Sequence, residues 1–182
     1  MPKVKKDRNK KMESESITFR IEKSILDELR IEADQKMESV NTLVNQIIKS
    51  YIQWHKPAKK AGLGYFSKVL LAKSIGYLTD EQVMEMTEEF YNHHLNDITY
   101  MLKTSNNFTS YMHGLRSWLE SSGYNFRYDR FNGMDIYVIQ FDLGRQFSLY
   151  FKHQMQLAFG QFKIKNAEAE MTDNTVILKI GV

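Results

Sequence analysis

The sequence predicts an α+β protein built from two parts, and three observations indicate this fold class. Residues 16–21 alternate polar and apolar side chains, which is typical of a half-buried strand. Two segments with a helical spacing of apolar residues follow that strand. Farther along the chain, a helix followed by a β-hairpin is predicted twice in succession. We therefore expect a strand and two helices, and then a second α+β domain with a four-stranded antiparallel sheet.

The composition is that of a globular protein and excludes several functional classes. Of the 182 residues, 42% are hydrophobic and 26% are charged, which is sufficient for a buried core. No run approaches the roughly 18 apolar residues of a membrane span, and residues 1–11 lack the apolar segment of a signal peptide. We therefore expect a cytoplasmic protein. The absence of cysteine excludes disulfides, zinc–thiolate sites and thiol catalysis.

Positive charge is concentrated at the N-terminus. Residues 1–11 contain six Lys or Arg against one Asp, a net of +5, whereas residues 12–60 carry eight charges of each sign. We interpret residues 1–14 as a flexible basic arm that follows a nucleic-acid phosphate backbone, since neutralised phosphates release counterions. A merely solubilising terminus is the alternative. The candidate phosphate contacts in the arm are Lys5, Lys6, Arg8, Lys10 and Lys11.

The predicted strand at residues 16–21 has two chemically distinct faces, because successive side chains of a strand point to opposite sides. The apolar face is formed by Ile17, Phe19 and Ile21. The polar face is formed by Ser16, Thr18 and Arg20. This pattern predicts a strand with one face on a core and the other open to a partner.

Two amphipathic helices are predicted after the strand. The first begins near Glu22, and its apolar stripe is formed by Leu26, Leu29, Ala33 and Met37. Ser39 is placed to cap the second helix. The apolar face of that second helix is formed by Val40, Leu43, Val44, Ile47, Ile48, Tyr51 and Ile52. Pro57 is predicted to end the helix, and residues 57–64 have the composition of a linker.

The second domain is predicted to cover residues 65–182 and to begin with helices. Helical spacing covers residues 65–75, and Thr79 with Gln82 forms a capping box for a long helix that extends to about residue 103. The inward-facing residues of the long helix are Val83, Met86, Phe90, Ile98 and Met101 or Leu102. A break at Asn106-Asn107 separates it from a helix at residues 108–121.

Two hairpins complete the predicted second domain. Strands at residues 125–131 and 134–142 flank Asn132-Gly133, a strong hairpin signal because both residues tolerate positive φ. A helix at residues 144–161 then precedes strands at 163–171 and 175–180, which are joined around Asp173-Asn174. Two helix-hairpin units of this kind make a four-stranded antiparallel layer with two helices on one face.

The strand and its two helices are too small to close a core alone. A single strand leaves its backbone groups unpaired, and two helices bury only part of their apolar stripes. Pairing two identical strands antiparallel across a two-fold axis satisfies both requirements. The polar face of such a ribbon shows its Ser, Thr and Arg side chains twice, and a two-stranded ribbon fits the DNA major groove, where Arg bonds guanine.

In this order and at these lengths, residues 15–54 resemble the ribbon-helix-helix DNA-binding family, which we expect to occupy residues 15–56 as an intertwined homodimer. The resemblance implies a sequence-specific, cytoplasmic transcriptional regulator of the repressor type that binds double-stranded DNA. It implies base contacts by Ser16, Thr18 and Arg20. It also implies phosphate contacts at the start of the second helix by Ser39, Val40 and Asn41. Where family members often have Gly, this chain departs from the pattern with Met37-Glu38.

The second domain leaves several interpretations open. It senses a small-molecule effector or drives oligomerisation, and its many aromatic residues line a pocket or form a core. His93 and His94 with Asp97 are weighed as metal ligands against surface histidines, and we predict no metal site. Arg145 lies near a predicted helix start. It either binds an anionic effector or is an ordinary solvent-exposed charge.

No constellation of catalytic residues occurs in the sequence, so neither an enzyme nor a cofactor is predicted. Two rival classes remain. One is an antitoxin-type or other interaction protein whose C-terminal domain binds a protein partner. The other is an enzyme that carries a DNA-targeting module.

Overall fold

The structure, a computed structural model, describes residues 15–95 and 107–181. The chain divides into two compact units, Met1–Asn45 and Gln46–Val182. The boundary lies inside a helix, because the second predicted helix continues without a break into the C-terminal unit. Within the described ranges, no helix combines the length and apolar character needed to cross a bilayer.

The N-terminal unit contains the first predicted helix and the beginning of the second. Helix α1 is Lys23–Gln35 and helix α2 is Val40–Ser50. Residues 15–22 form neither helix nor strand in this single chain. Ala33 and Leu43 are the buried apolar residues among residues 15–45. The described part of this unit therefore has almost no core of its own.

The end of α1 adopts a Schellman motif around a residue with left-handed backbone. The N–H of Glu38 bonds the carbonyl of Ala33, and the N–H of Met37 bonds the carbonyl of Asp34, both at 3.0 Å. Met37 has φ +54° and is 94% exposed. The prediction that Met37 continues the apolar stripe of α1 is therefore wrong, because the helix has already ended and the side chain points into solvent.

The helix that contains α2 continues past the predicted stop at Pro57. A π-helical turn, Tyr51–His55, follows α2 and leads into α3, Lys56–Lys60. Pro57 lies in the first turn of α3, where a missing N–H costs little after the wider π turn. The prediction that Pro57 ends the helix is therefore wrong, and residues 57–60 of the predicted linker are helical. Gly62, with φ +75°, closes α3.

The helices of the C-terminal unit lie close to their predicted positions. They are α4, Lys68–Gly76; α5, Asp80–Phe90, extended by a π-helical turn, Tyr91–Leu95; α6, Phe108–Ser121; and α7, Arg145–Gln161. The capping box is confirmed, since Thr79 and Gln82 exchange side-chain and backbone hydrogen bonds of 3.3 and 2.9 Å. Asn107 caps α6 by accepting the N–H of Ser110 at 2.9 Å.

Two details of these helices differ from the sequence prediction. Helix α4 begins at Lys68 rather than at residue 65, because Ser67 caps it. In α5 the buried positions are Val83 and Thr87, whereas Met86 is 37% exposed. Thr87 tolerates full burial because its hydroxyl donates to the Val83 carbonyl at 2.6 Å. The predicted inward residues 98, 101 and 102 lie outside the described residues.

The predicted four-stranded antiparallel sheet is confirmed, with the strand order β1-β2-β4-β3. Its strands are β1, Asn125–Phe131; β2, Met134–Gln140; β3, Ala167–Met171; and β4, Thr175–Gly181. Asn132 and Gly133 have φ +49° and +74°, the geometry of a two-residue hairpin turn. Strand β3 begins later than predicted, because Lys163 with φ +55° closes α7 in a Schellman motif.

One face of the sheet and the helices enclose the core of the C-terminal unit. On β4, Val176, Leu178 and Ile180 are buried and alternate with half-buried residues. Aromatic rings pack directly on one another. The ring centroids of Phe141 and Phe151 are separated by 4.6 Å, and Trp118 stacks on Phe151 with a centroid distance of 6.1 Å. In this structure these aromatic residues form a packed core.

Candidate nucleic-acid interface

The predicted base-contacting residues lie on an exposed segment ahead of α1. Ser16, Thr18 and Arg20 are all exposed. The residues that alternate with them, Ile17 and Phe19, are also exposed, at 74% and 53%. A half-buried strand would cover these apolar side chains, and nothing in the described part of this single chain does so.

Further apolar side chains are exposed on the helices. Ile25 and Ile31 on α1 are 50% and 60% exposed. Sequence reasoning missed both residues, because they lie off the predicted stripe of α1; apolar residues outside a stripe are the signal that identifies them. On the helix that continues from α2, the exposed apolar residues are Ile47, Ile48, Tyr51 and Ile52.

The predicted phosphate-contacting residues come together at the start of α2. The side-chain oxygen of Ser39 accepts the N–H of Thr42 at 3.1 Å, so Ser39 is the N-cap. Val40 and Asn41 occupy the first two helical positions. The N–H groups at these positions have no hydrogen-bond acceptor within the helix. The side-chain amide of Asn45 donates to the Asn41 carbonyl at 2.8 Å. The N–H groups of a helix start and the helix dipole favour an anion at this end.

The charge of the described N-terminal residues does not itself attract DNA. Residues 15–45 contain four basic and seven acidic side chains, a net of −3. On α1 the charges pair locally, with Arg30 to Asp27 at 2.9 Å and Lys36 to Glu32 at 2.6 Å. The hydrogen bond to Glu32 raises the pKa of Lys36. Positive charge for a phosphate backbone therefore has to come from the arm or from another part of the chain.

The structure brings together only part of the predicted set. Ser39, Val40 and Asn41 share one helix end, whereas Ser16, Thr18 and Arg20 occupy a separate segment. The five arm residues lie outside the described residues. So does Asp97, while His93 and His94 are exposed. Among residues 15–95 and 107–181, no three His, Asp or Glu side chains are grouped to hold a metal ion.

Comparison with models of known protein families, with curated proteins and with solved structures finds no match to this chain. Its function must therefore be inferred from its own residues.

Proposed function

We propose that the chain is a dimeric, sequence-specific DNA-binding regulator of the ribbon-helix-helix type. The observation that carries the proposal is the exposure of Ile17, Phe19 and Ile21, at 74%, 53% and 38%, in strict alternation with Ser16, Thr18 and Arg20. Burying one such apolar side chain contributes about 1.5–3 kcal/mol. A second copy that pairs with this segment would bury all three on both chains.

Helix α1 supplies further apolar surface to the proposed dimer core. Its Ile25 and Ile31, which are 50% and 60% exposed, would be covered by the same partner. The described N-terminal unit buries only Ala33 and Leu43. A module with so small a core gains most of its stability from association, which supports an obligate dimer.

In the proposed dimer, the polar residues of the ribbon read bases and the start of α2 holds phosphate. Arg20 would donate to guanine acceptors, and Thr18 would contact a base edge or a thymine methyl group. Ser39, Val40 and Asn41 would fix the register of the protein on the duplex, since phosphate contacts position but do not specify. The basic arm, residues 1–14, would add affinity that does not depend on sequence.

The test replaces both base-reading side chains. A Thr18→Ala/Arg20→Ala variant is titrated against a duplex that the wild-type chain selects from a random library. Because both chains of the dimer then lack the Arg20 guanidinium, specific affinity should fall by about 100-fold or more, while sedimentation still shows a dimer. Arg30→Ala, which removes one positive charge from α1, is the matched control and should bind as wild type does.

Two results would count against the proposal. If the Thr18→Ala/Arg20→Ala variant bound the selected duplex with unchanged affinity, base recognition by the ribbon would be excluded. A wild-type chain that selects no DNA but purifies with a stoichiometric protein partner would favour the interaction-protein alternative.

A further inference from the structure

The four-stranded sheet ends in an edge strand with an unusual charge pattern. Strand β1 lies at one edge of the order β1-β2-β4-β3. Among the described residues, only β2 pairs with it, so its other side has no strand partner. An edge strand of seven residues is a ready template for another strand unless its sequence opposes pairing.

The hairpin geometry identifies which backbone groups of β1 face outward. Phe131 pairs with Met134 across the two-residue turn, and the residues that flank such a turn exchange hydrogen bonds. Hydrogen-bonded and non-hydrogen-bonded pairs then alternate along the ladder. The N–H and C=O groups of Phe126, Tyr128 and Arg130 therefore point away from β2.

A second β1 strand fits this edge when the two-fold axis passes beside Tyr128. Residues at equal distances from Tyr128 then lie opposite each other, so Arg127 faces the partner's Asp129 and Asp129 faces the partner's Arg127. This cross-strand pair is of the non-hydrogen-bonded kind, in which side chains are closest. Within one chain, Arg127 and Asp129 share the open face of the sheet and are 2.7 Å apart. Pairing would give each of them a second opposite charge.

The other edge of the sheet opposes the same arrangement. Strand β3 carries Glu168 and Glu170 on its open face. If two copies of β3 paired about Ala169, Glu168 of each chain would lie opposite Glu170 of the other. Lys179 on β4 contacts Glu170 and lies 4.0 Å from Glu168, so one ammonium serves two carboxylates. Like charges directly opposite each other destabilise a strand pair, whereas opposite charges stabilise it. The two edges therefore differ in their capacity to pair with a second copy.

We propose that β1 is an interaction surface for a second copy of this chain, with the two β1 strands antiparallel about Tyr128 and Arg127 on the partner's Asp129. The contact extends the four-stranded sheet to eight strands. It is separate from the proposed N-terminal ribbon and needs no DNA.

Because the sequence contains no cysteine, introduced cysteines report this contact directly. Full-length Arg127→Cys and Asp129→Cys chains, carrying different tags, are co-expressed and oxidised. The expected product is a disulfide-linked heterodimer, since these two positions face each other only between chains. The matched control is a Glu168→Cys and Glu170→Cys pair of chains, which has the same spacing on the other edge strand. Equal cross-linking of the two pairs would overturn the proposal.

Charge reversal then tests the register. In the heterodimer, one ion pair remains, between Asp129 of the first chain and Arg127 of the second. Adding Asp129→Arg to the first chain should lower the rate of cross-linking about fivefold, and adding Arg127→Asp to the second should restore it. If the rate of cross-linking stayed the same with either charge reversal, the proposed register would be contradicted.

A second measurement covers the case in which these cysteines disturb the strand. A Tyr128→Cys chain, which places one thiol beside the two-fold axis, should be joined to itself by a short bifunctional maleimide. Circular dichroism confirms that each variant is folded. Failure of folded Tyr128→Cys protein to cross-link would also overturn the proposal.

Discussion

The guanidinium of Arg145 donates to both carboxylate oxygens of Asp80, with Nη1–Oδ1 and Nη2–Oδ2 distances of 2.6 and 2.8 Å. The pair joins the first turns of α5 and α7. Gln146 also donates to Asp80, at 3.2 Å, and to the Leu78 carbonyl at 2.6 Å. Arg145, a candidate anion site by sequence, therefore has an internal carboxylate as its partner.

This ion pair predicts a specific acid sensitivity. The hydrogen bond from Arg145 lowers the pKa of Asp80 in the folded state. The stabilisation is therefore present above the ordinary aspartate pKa, about 3.9, and is lost as pH falls through the folded value. Asp80→Asn should reduce stability at pH 7 and flatten the fall in melting temperature between pH 5 and 2. Asp34→Asn, outside the pair, is the control and should retain the wild-type fall.

Met37 predicts a stabilising substitution. Its left-handed backbone, φ +54°, costs a side-chain-bearing residue about 1–2 kcal/mol, and glycine avoids this cost but loses some entropy on folding. Met37→Gly should therefore raise the free energy of unfolding by about 0.5–1 kcal/mol, as measured by urea denaturation. Lys36→Gly, at a right-handed position one residue earlier, should lower it. A destabilised Met37→Gly protein would show that the Met37 side chain makes a stabilising contact.

Ser39 predicts that stability and DNA affinity can be separated. Ser39→Ala removes the cap of α2 and should cost about 1 kcal/mol of stability. Ser39→Asp keeps a capping oxygen but adds negative charge where phosphate is proposed to bind. It should melt near the wild-type temperature and bind every duplex more weakly, in fluorescence anisotropy. Wild-type DNA affinity in Ser39→Asp would exclude this helix end as the phosphate site.

The arm predicts a change in salt dependence. The variant replaces Lys5, Lys6, Arg8, Lys10 and Lys11 by Gln. The slope of log affinity against log salt concentration should decrease in magnitude by about 0.9 for each phosphate that is no longer neutralised. The preference for the selected duplex over random DNA should survive, because phosphate contacts carry no sequence information. Replacing Lys56, Lys59 and Lys60 by Gln tests whether any basic cluster has the same effect, and the slope should then stay near wild type. An unchanged slope in the arm variant would contradict a role of the arm.

Local signals in the sequence predicted much of the C-terminal fold. The Asn132-Gly133 turn, the Thr79–Gln82 capping box and the helix that starts after Asn107 depend on neighbouring residues alone, and each is confirmed. The four-stranded sheet followed because two hairpins with apolar faces have to share one core. The strand order and the packing face of α5 depend on distant contacts, and the sequence pattern did not reveal them.

The errors have local physical causes. Proline ends or kinks most helices because its ring clashes with the preceding turn. Ahead of Pro57, a π-helical turn relieves this clash, and the helix continues. Met37 occupies a left-handed position that usually indicates glycine, so the end of α1 carried no sequence signal. Lys163 occupies a similar position after α7, whose end at residue 161 was predicted, and it delays the start of β3 to Ala167. The candidate site is different in kind: the alternation at residues 16–21 is clear in the sequence, but residues 15–22 form no strand in the single chain, and the proposed pairing needs a second copy.

The most direct test of the proposed DNA-reading dimer is the symmetry of the DNA that the full chain selects from a random duplex library. A two-fold ribbon with one Arg20 and one Thr18 from each chain should enrich short inverted or tandem half-sites. Sedimentation of the complex should show two chains for each pair of half-sites. Recovery of no enriched motif, or of an asymmetric motif bound by one chain, would contradict the account.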